Sequence, residues 1–310
     1  MKTQLTNGIS QMMIPLGRQY IRYSPVSWGK SQIWAALHKY FSWRSIERTI
    51  VTDDGILLQG NTMNLLPRFI YYFGVWEPDI TAYIKSALSS GDTFIDVGAN
   101  IGYYSLLASS LVGKTGNVVA VEASPRIYNI LLKNLDLNHA TNVRTVNVAA
   151  SDTSGRLPIF EALPENLGQT TTVKSFADRN HCTLTGTVEA LPLTEILTPA
   201  EVQRARIVKI DVEGAERMVA QGLLPVLCDT RDDIEIVMEI SPDDLALQGG
   251  TADELIGKFT SLGFNAYSVN TDYSMKSYVR SVQPARPGRL RARILNQTDV
   301  VLSRVDRDEL

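Results

Sequence analysis

The 310-residue chain predicts an α/β fold with a doubly wound, mostly parallel sheet of seven strands, the last one antiparallel. Three observations lead there. From about residue 79 onward, short apolar strands alternate with helical patterns. Phe94-Ile-Asp-Val-Gly-Ala-Asn-Ile-Gly102 carries a buried strand into a glycine turn, and the following Tyr103-Tyr-Ser-Leu-Leu-Ala reads as a helix. Helix-start signals stand where the alternation needs them, at Ser124-Pro125 and at Thr251-Ala-Asp-Glu254.

Residues 1–78 precede this pattern and are expected to form an appendage. Residues 1–50 carry seven Lys and Arg against one acid, Glu47, a sum of +6 that leaves −9 for the rest of a chain whose total is −3. Trp28, Trp34 and Trp43 lie in this zone. Ile33, Trp34, Leu37, Tyr40 and Phe41 recur on one helical face, with Lys30, Lys39 and Arg44 outside it. Such a helix either packs over the main domain or lies on a membrane surface or over an acceptor site. Residues 48–60 read as a hairpin with Asp54-Gly55 at its turn.

Residues 79–310 read as the main domain. Strands are expected at 93–97, 118–121, 143–148, 207–210, 234–240, 264–269 and 300–303. Helices are expected between the first six. Ile127, Ile130, Leu131 and Leu135 share one face of the helix that starts at Ser124-Pro125, and Gly263 closes the helix that starts at Thr251. No helix-length periodic segment separates the last two strands, so the seventh is expected to return antiparallel. Residues 156–190 break the rhythm with Pro, Asn, Gly and Thr and read as an irregular insertion.

In a sheet of this kind, ligands bind outside the carboxyl ends of the strands. Five successive strand ends place an acid there: Asp96, Glu122, Asp152 beside Ser151, Asp211 and Glu239. Burying that many carboxylates costs free energy unless partners offset it. The rim therefore suits a ligand with positive charge and several hydrogen-bond donors. Glu122 lies 20 residues past Gly102, a spacing that fits an acid on ribose hydroxyls. Asp211-Val-Glu-Gly-Ala-Glu216 adds Glu213, a close-approach glycine at Gly214, and an acid that opens a helix. Gly98 and Gly102 let the first turn bend sharply and come near a ligand.

Asp96-x-Gly-x-x-x-Gly102 resembles the first motif of S-adenosylmethionine (SAM) methyltransferases. Phe94-Ile-Asp-Val-Gly-Ala-Asn-Ile-Gly-Tyr-Tyr-Ser105 and Val208-Lys-Ile-Asp-Val-Glu-Gly-Ala-Glu216 together resemble the FkbM family of these enzymes. Trp76-Glu77-Pro78 resembles that family's lead-in, and the likeness runs from about residue 74 to 270. The resemblance implies a class I methyltransferase (Rossmann-like) fold and methylation of a hydroxyl oxygen on a sugar, glycan or other secondary metabolite. It implies SAM-site roles for Asp96, Gly98, Asn100, Gly102, Glu122, Ser151 and Asp152, with Glu77 at the methionine end. It sets Asp211 between cofactor and acceptor.

Attack by an alcohol oxygen needs a base to take its proton. Asp211, Glu213 and Glu239 are the candidates, with His181 in the insertion a fourth. A divalent metal on Asp211 and Glu239 is an alternative, although no metal-binding motif stands in the sequence. A nicotinamide-dependent oxidoreductase shares the Glu122 argument but lacks Gly-x-Gly-x-x-Gly, and the surplus acids would repel a pyrophosphate. A non-catalytic SAM-fold scaffold docked through its N-terminus is the non-enzyme reading. A net charge of −3 gives no support to nucleic-acid binding. Cys182 and Cys228 form no disulfide framework, which fits a reducing, cytoplasmic setting, with peripheral membrane contact through residues 1–45. No apolar run approaches the length of a membrane span, and the first residues lack a signal-peptide core.

Overall fold

The computed structural model describes residues 14–41, 44–163, 167–269, 278 and 284–310. Residues 14–23 (α1) and Lys30–Phe41 (α2) are helical. A hairpin follows, β1 (Glu47–Val51) and β2 (Leu57–Asn61), then α3 (Leu65–Phe73) and α4 (Pro78–Ala87). The alternating part runs β3 (Thr93–Val97), α5 (Tyr103–Val112), β4 (Asn117–Val121), α6 (Pro125–Leu137) and β5 (Val143–Val146). Then come β6 (Ala149–Ser151), β7 (Gly155–Glu161), α7 (Lys174–Arg179), β8 (Thr183–Pro192), α8 (Leu193–Ile196) and α9 (Pro199–Arg204). The chain closes with β9 (Ala205–Ile210), α10 (Glu216–Leu223), β10 (Glu235–Ile240), α11 (Pro242–Leu247), α12 (Ala252–Thr260), β11 (Asn265–Val269), β12 (Gly288–Arg289) and β13 (Thr298–Ser303).

The central sheet has the order β12-β11-β13-β10-β9-β3-β4-β5. β5, β4, β3, β9 and β10 pair parallel. β13 slots between β10 and β11 and is antiparallel to both, as the missing crossover helix requires. All seven expected strands form. The two-residue β12 adds an eighth at the edge, too short to carry a periodic signal. Successive residues along each strand face opposite layers. Phe94, Val118, Ala120 and Ile207 point to the side of α3, α4 and α5; Ile95, Val119, Val208 and Ile236 point to the side of α10 and α12.

The appendage shares the first of these cores. Phe41, Ile50, Leu58, Ile70 and Tyr72 join Phe94, Leu107 and Val118 in one hydrophobic cluster. The Asp54-Gly55 hairpin forms, with Gly55 at φ 77°. Two asparagines one turn apart on α6 satisfy its outer strand. The amides of Leu57 and Gln59 donate to Asn138 Oδ1 (2.9 Å) and Asn134 Oδ1 (2.7 Å). Ser124 caps α6, and Thr251 and Glu254 form the expected capping box.

The stretch read as irregular, 156–190, is largely a second sheet of order β6-β8-β7 with α7 on the loop. β8 is exposed from Thr183 to Thr187 and β7 at Gly155 and Arg156, so the apolar alternation of a half-buried strand is confined to the end of β8. The third main-sheet strand ends at Val146 rather than Val148. Asn147 donates to the Glu122 and Ala123 carbonyls (2.7 and 3.2 Å), and the next strand, β6, pairs with β8 instead.

Candidate active site

Strand order reverses between β3 and β9, and the cleft opens at their carboxyl ends. Here the β3–α5 and β9–α10 turns lie against each other. A Cβ on Gly98 (φ 87°) would sit 1.8 Å from the Asp211 carbonyl oxygen, and one on Gly102 (φ 94°) would sit 2.6 Å from Leu131. Backbone angle requires glycine at both positions, and at Gly98, which also lines both cavities described below, the Asp211 backbone leaves no room for a side chain.

The cleft encloses about 820 Å³, within the usual range for a small-molecule site. Its floor holds Glu77, Asn100, Lys209, Asp211, Glu213 and Glu239. A side cavity of only about 50 Å³ adjoins it; Gly98, Asn100, Asp211 and Glu213 line both, and Glu122 faces the side cavity. Asp96 is buried beneath the turn, where Ser105 Oγ donates to it (2.5 Å), so it braces the loop from below.

Lys209 went unremarked in the sequence, yet it organises the floor. It stands opposite Asp96 in the β3–β9 register and is buried. Its ammonium donates to Asp211 Oδ2 (2.7 Å) and lies 4.6 Å from the Tyr104 ring centre. Burial alone would lower its pKa, but Asp211, Glu77 and Asp96 more than offset that and raise it. One charged residue inside the apolar run Ile207–Ile210 was the available signal. Tyr104 was missed as well; its hydroxyl donates to Glu77 Oε2 (2.6 Å) and fixes that carboxylate.

The remaining acids divide by environment. Burial raises Glu122 to about 7, although the amides of Asn100 and Ser124 donate to its two oxygens (2.9 and 2.8 Å). Glu213 and Glu239 are half-buried and raised well above the carboxylate range, first by burial and then by the nearby Asp211 charge. Glu216 is buried and raised to about 7, and accepts from the Val212 and Gly214 amides (both 3.2 Å), so it braces the loop it follows. Glu77, Asn100 and Glu213 hold positive φ values of 41°, 51° and 53°, strained angles that cluster on this floor.

Two expected site residues stand elsewhere. Ser151 is buried against α10, where a Cβ on Gly222 would meet its carbonyl at 2.1 Å. Asp152 is exposed on the turn beyond it and lines neither cavity. The cause is the early end of β5, which turns these residues into the second sheet. Val148 and Ala149 line the side cavity in their place. His181 is exposed on the turn before β8 and lines neither cavity.

The acid-lined floor fits SAM, whose sulfonium and ammonium are both cationic. Lys209 already neutralises one face of Asp211, so the Asp211–Glu239 pair is poorly suited to a divalent metal. Among the described residues, no three His, Cys, Asp or Glu side chains group as a metal-holding set.

Parts of the chain are similar to known methyltransferases. The chain is 30% identical over 84 residues to protein-L-isoaspartate O-methyltransferase of Caenorhabditis elegans, covering 27% of this chain and 37% of that one. It is 28% identical over 170 residues to the hexuronic acid methyltransferase AglP of Haloferax volcanii, covering 54% and 66%. To Methyltransferase 1 of Beauveria bassiana it is 26% identical over 217 residues, covering 65% and 85%. The chain thus spans about a third and two thirds of the first two relatives' lengths. Among solved structures, the methyltransferase FkbM of Methylobacillus flagellatus is 16% identical with a TM-score of 0.41, over 89% of this chain and 60% of that one. Residues 96–266, more than half of the chain, match the methyltransferase FkbM domain, and the chain belongs to this family of SAM-dependent methyltransferases.

Proposed function

We propose that the enzyme methylates a hydroxyl oxygen of a sugar, glycan or other polyhydroxylated small molecule. The observation that carries this is a cleft with a carboxylate floor and a wall of side-chain amides and a hydroxyl: Ser45, Gln59, Asn61, Asn64 and Gln169. Such groups pair with hydroxyls in either direction. The hexuronic acid methyltransferase among the relatives supports a sugar acceptor.

When bound, SAM supplies an activated methyl group open to in-line displacement. Glu77, Asn100 and Asp211 would hold its cationic methionine end, and Glu122 its ribose. The acceptor hydroxyl must lose a proton as it attacks. Asp211 commits one oxygen to the Lys209 ammonium, which holds it in place. Glu213 and Glu239 are better proton acceptors because burial and like charge raise them. The proton they take replaces the positive charge that the sulfonium loses, so net charge in the cleft is unchanged by the reaction. Glu213→Gln or Glu239→Gln should lower kcat by about 100–10,000-fold, the usual worth of a positioned base, with SAM affinity reduced far less. Full activity in both variants would refute the assignment.

A contact with an anionic membrane also follows from one observation. Tyr23, at the end of α1, and Val26 and Trp28, in the connection to α2, are 67%, 53% and 83% exposed. The bulk of α2, by contrast, clamps onto the main body: Leu37 and Phe41 are buried, and the Trp34 ring meets Phe69 edge-on at 5.9 Å. These exposures support a contact through the end of α1 and the turn after it rather than through the buried face of α2. Trp43 lies outside the described residues. No described helix is long and apolar enough to cross a membrane.

A further inference from the structure

The side cavity that Glu122 faces is too small for its proposed occupant. At about 50 Å³ it has room for a few water molecules, whereas ligand sites usually enclose about 300–1,000 Å³. Residues 168 and 170–172, from the segment 167–172 between β7 and α7, form part of its wall. That segment also lines the main cleft through Leu167, Gly168 and Gln169.

Its anchoring is at the ends. Leu167 N donates to Asn64 Oδ1 (3.0 Å) on the acceptor wall, and the Leu167 side chain packs with Ile101 and Ile127. Thr171 pairs with Phe160 through both backbone groups, and its hydroxyl donates to the Glu213 carbonyl (2.7 Å). Between these anchors, Thr170 Oγ1 is buried without a hydrogen-bond partner. A buried hydroxyl of that kind costs about 1–3 kcal/mol unless something satisfies it.

We propose that residues 167–172 are a cofactor-responsive strap, which lifts to admit the adenosine half of SAM and closes with the Thr170 hydroxyl hydrogen-bonded to it. This rests on the SAM-dependent reading above. Because the same strap is tied to Asn64 and carries Gln169, its closure also sets the acceptor wall. Cofactor is therefore expected to bind before acceptor.

The test is hydrogen–deuterium exchange on the full chain, with and without S-adenosylhomocysteine, together with calorimetry on Thr170→Val, which keeps the side-chain shape. The expected result is slowed exchange at residues 168–172 on binding, and an affinity about 2–10-fold weaker in the variant, the range for one neutral hydrogen bond. Binding to the wild type with unchanged exchange across 168–172 would overturn the strap and leave the SAM site standing. Absence of any S-adenosylhomocysteine binding would overturn both. The exchange experiment uses wild-type protein, so it decides even if the variant fails to fold.

Discussion

Lys209, near the end of β9, and Asp211, just past it, form an ion pair where the strand order reverses. Asp211→Asn keeps the shape and an acceptor for the Lys209 ammonium but removes the charge. Turnover should collapse while SAM still binds, measured by parallel activity assay and calorimetry. Full activity in this variant would remove Asp211 from the mechanism. Glu122 makes a second prediction. Charged hydrogen bonds to ribose should be worth about 1.5–3 kcal/mol, so Glu122→Ala should weaken SAM binding on the order of 10–100-fold. The same residue gives a pH dependence whose sign is fixed. Its folded pKa of about 7 exceeds its ordinary 4.5, and Glu216 behaves alike, so the folded state holds the extra protons. Stability of the free enzyme should therefore fall as pH rises from 4.5 through about 7. A cationic ligand favours the ionised forms, so SAM affinity should rise across that window. A flat thermal-unfolding profile and a flat affinity profile over this range would contradict these shifts.

At the scale of elements, the main sheet was legible because its inner strands β3, β4, β9 and β10 are largely buried, β-branched runs bounded by turn signals. The caps at Ser124 and Thr251 were legible for the same reason: they act within one turn of sequence. The second sheet was not, since the first half of β8 is exposed without alternation and β6 pairs with residues some forty positions further along the chain. The same unforeseen turn into the second sheet places Ser151 and Asp152 off the lining of both cavities. Lys209 was overlooked because a sequence gives no measure of which strand lies opposite Asp96. The junction of hairpin and α6 was equally invisible, since it depends on Asn134 and Asn138 bonding to the edge of β2. Asn134 is fully buried and also donates to the Ile101 carbonyl (2.8 Å) beside the glycine turn. Asn134→Ala should destabilise the protein by about 1–3 kcal/mol, seen in the denaturation midpoint. Because β2 lines the cleft, acceptor KM should rise as well.

Across the whole molecule, the appendage is part of the enzyme rather than a tether. Its hairpin and α3 supply one wall of the cleft, its core is continuous with that of the sheet, and Tyr23, Val26 and Trp28 stand exposed at and just after the end of α1. Replacing Tyr23, Val26 and Trp28 together with serine should abolish flotation with anionic vesicles while leaving activity on a water-soluble acceptor intact. Binding that persists in that variant would place the membrane contact elsewhere. The central claim is that this architecture delivers a methyl group to an acceptor oxygen. The most direct measurement is to incubate the enzyme with a cell extract and SAM labelled in its methyl group, isolate the labelled product and assign the methyl linkage by NMR. The account predicts an O-methyl group on a polyhydroxylated small molecule or glycan, lost with Glu213→Gln or Glu239→Gln. A label found on nitrogen, sulfur or carbon would contradict it.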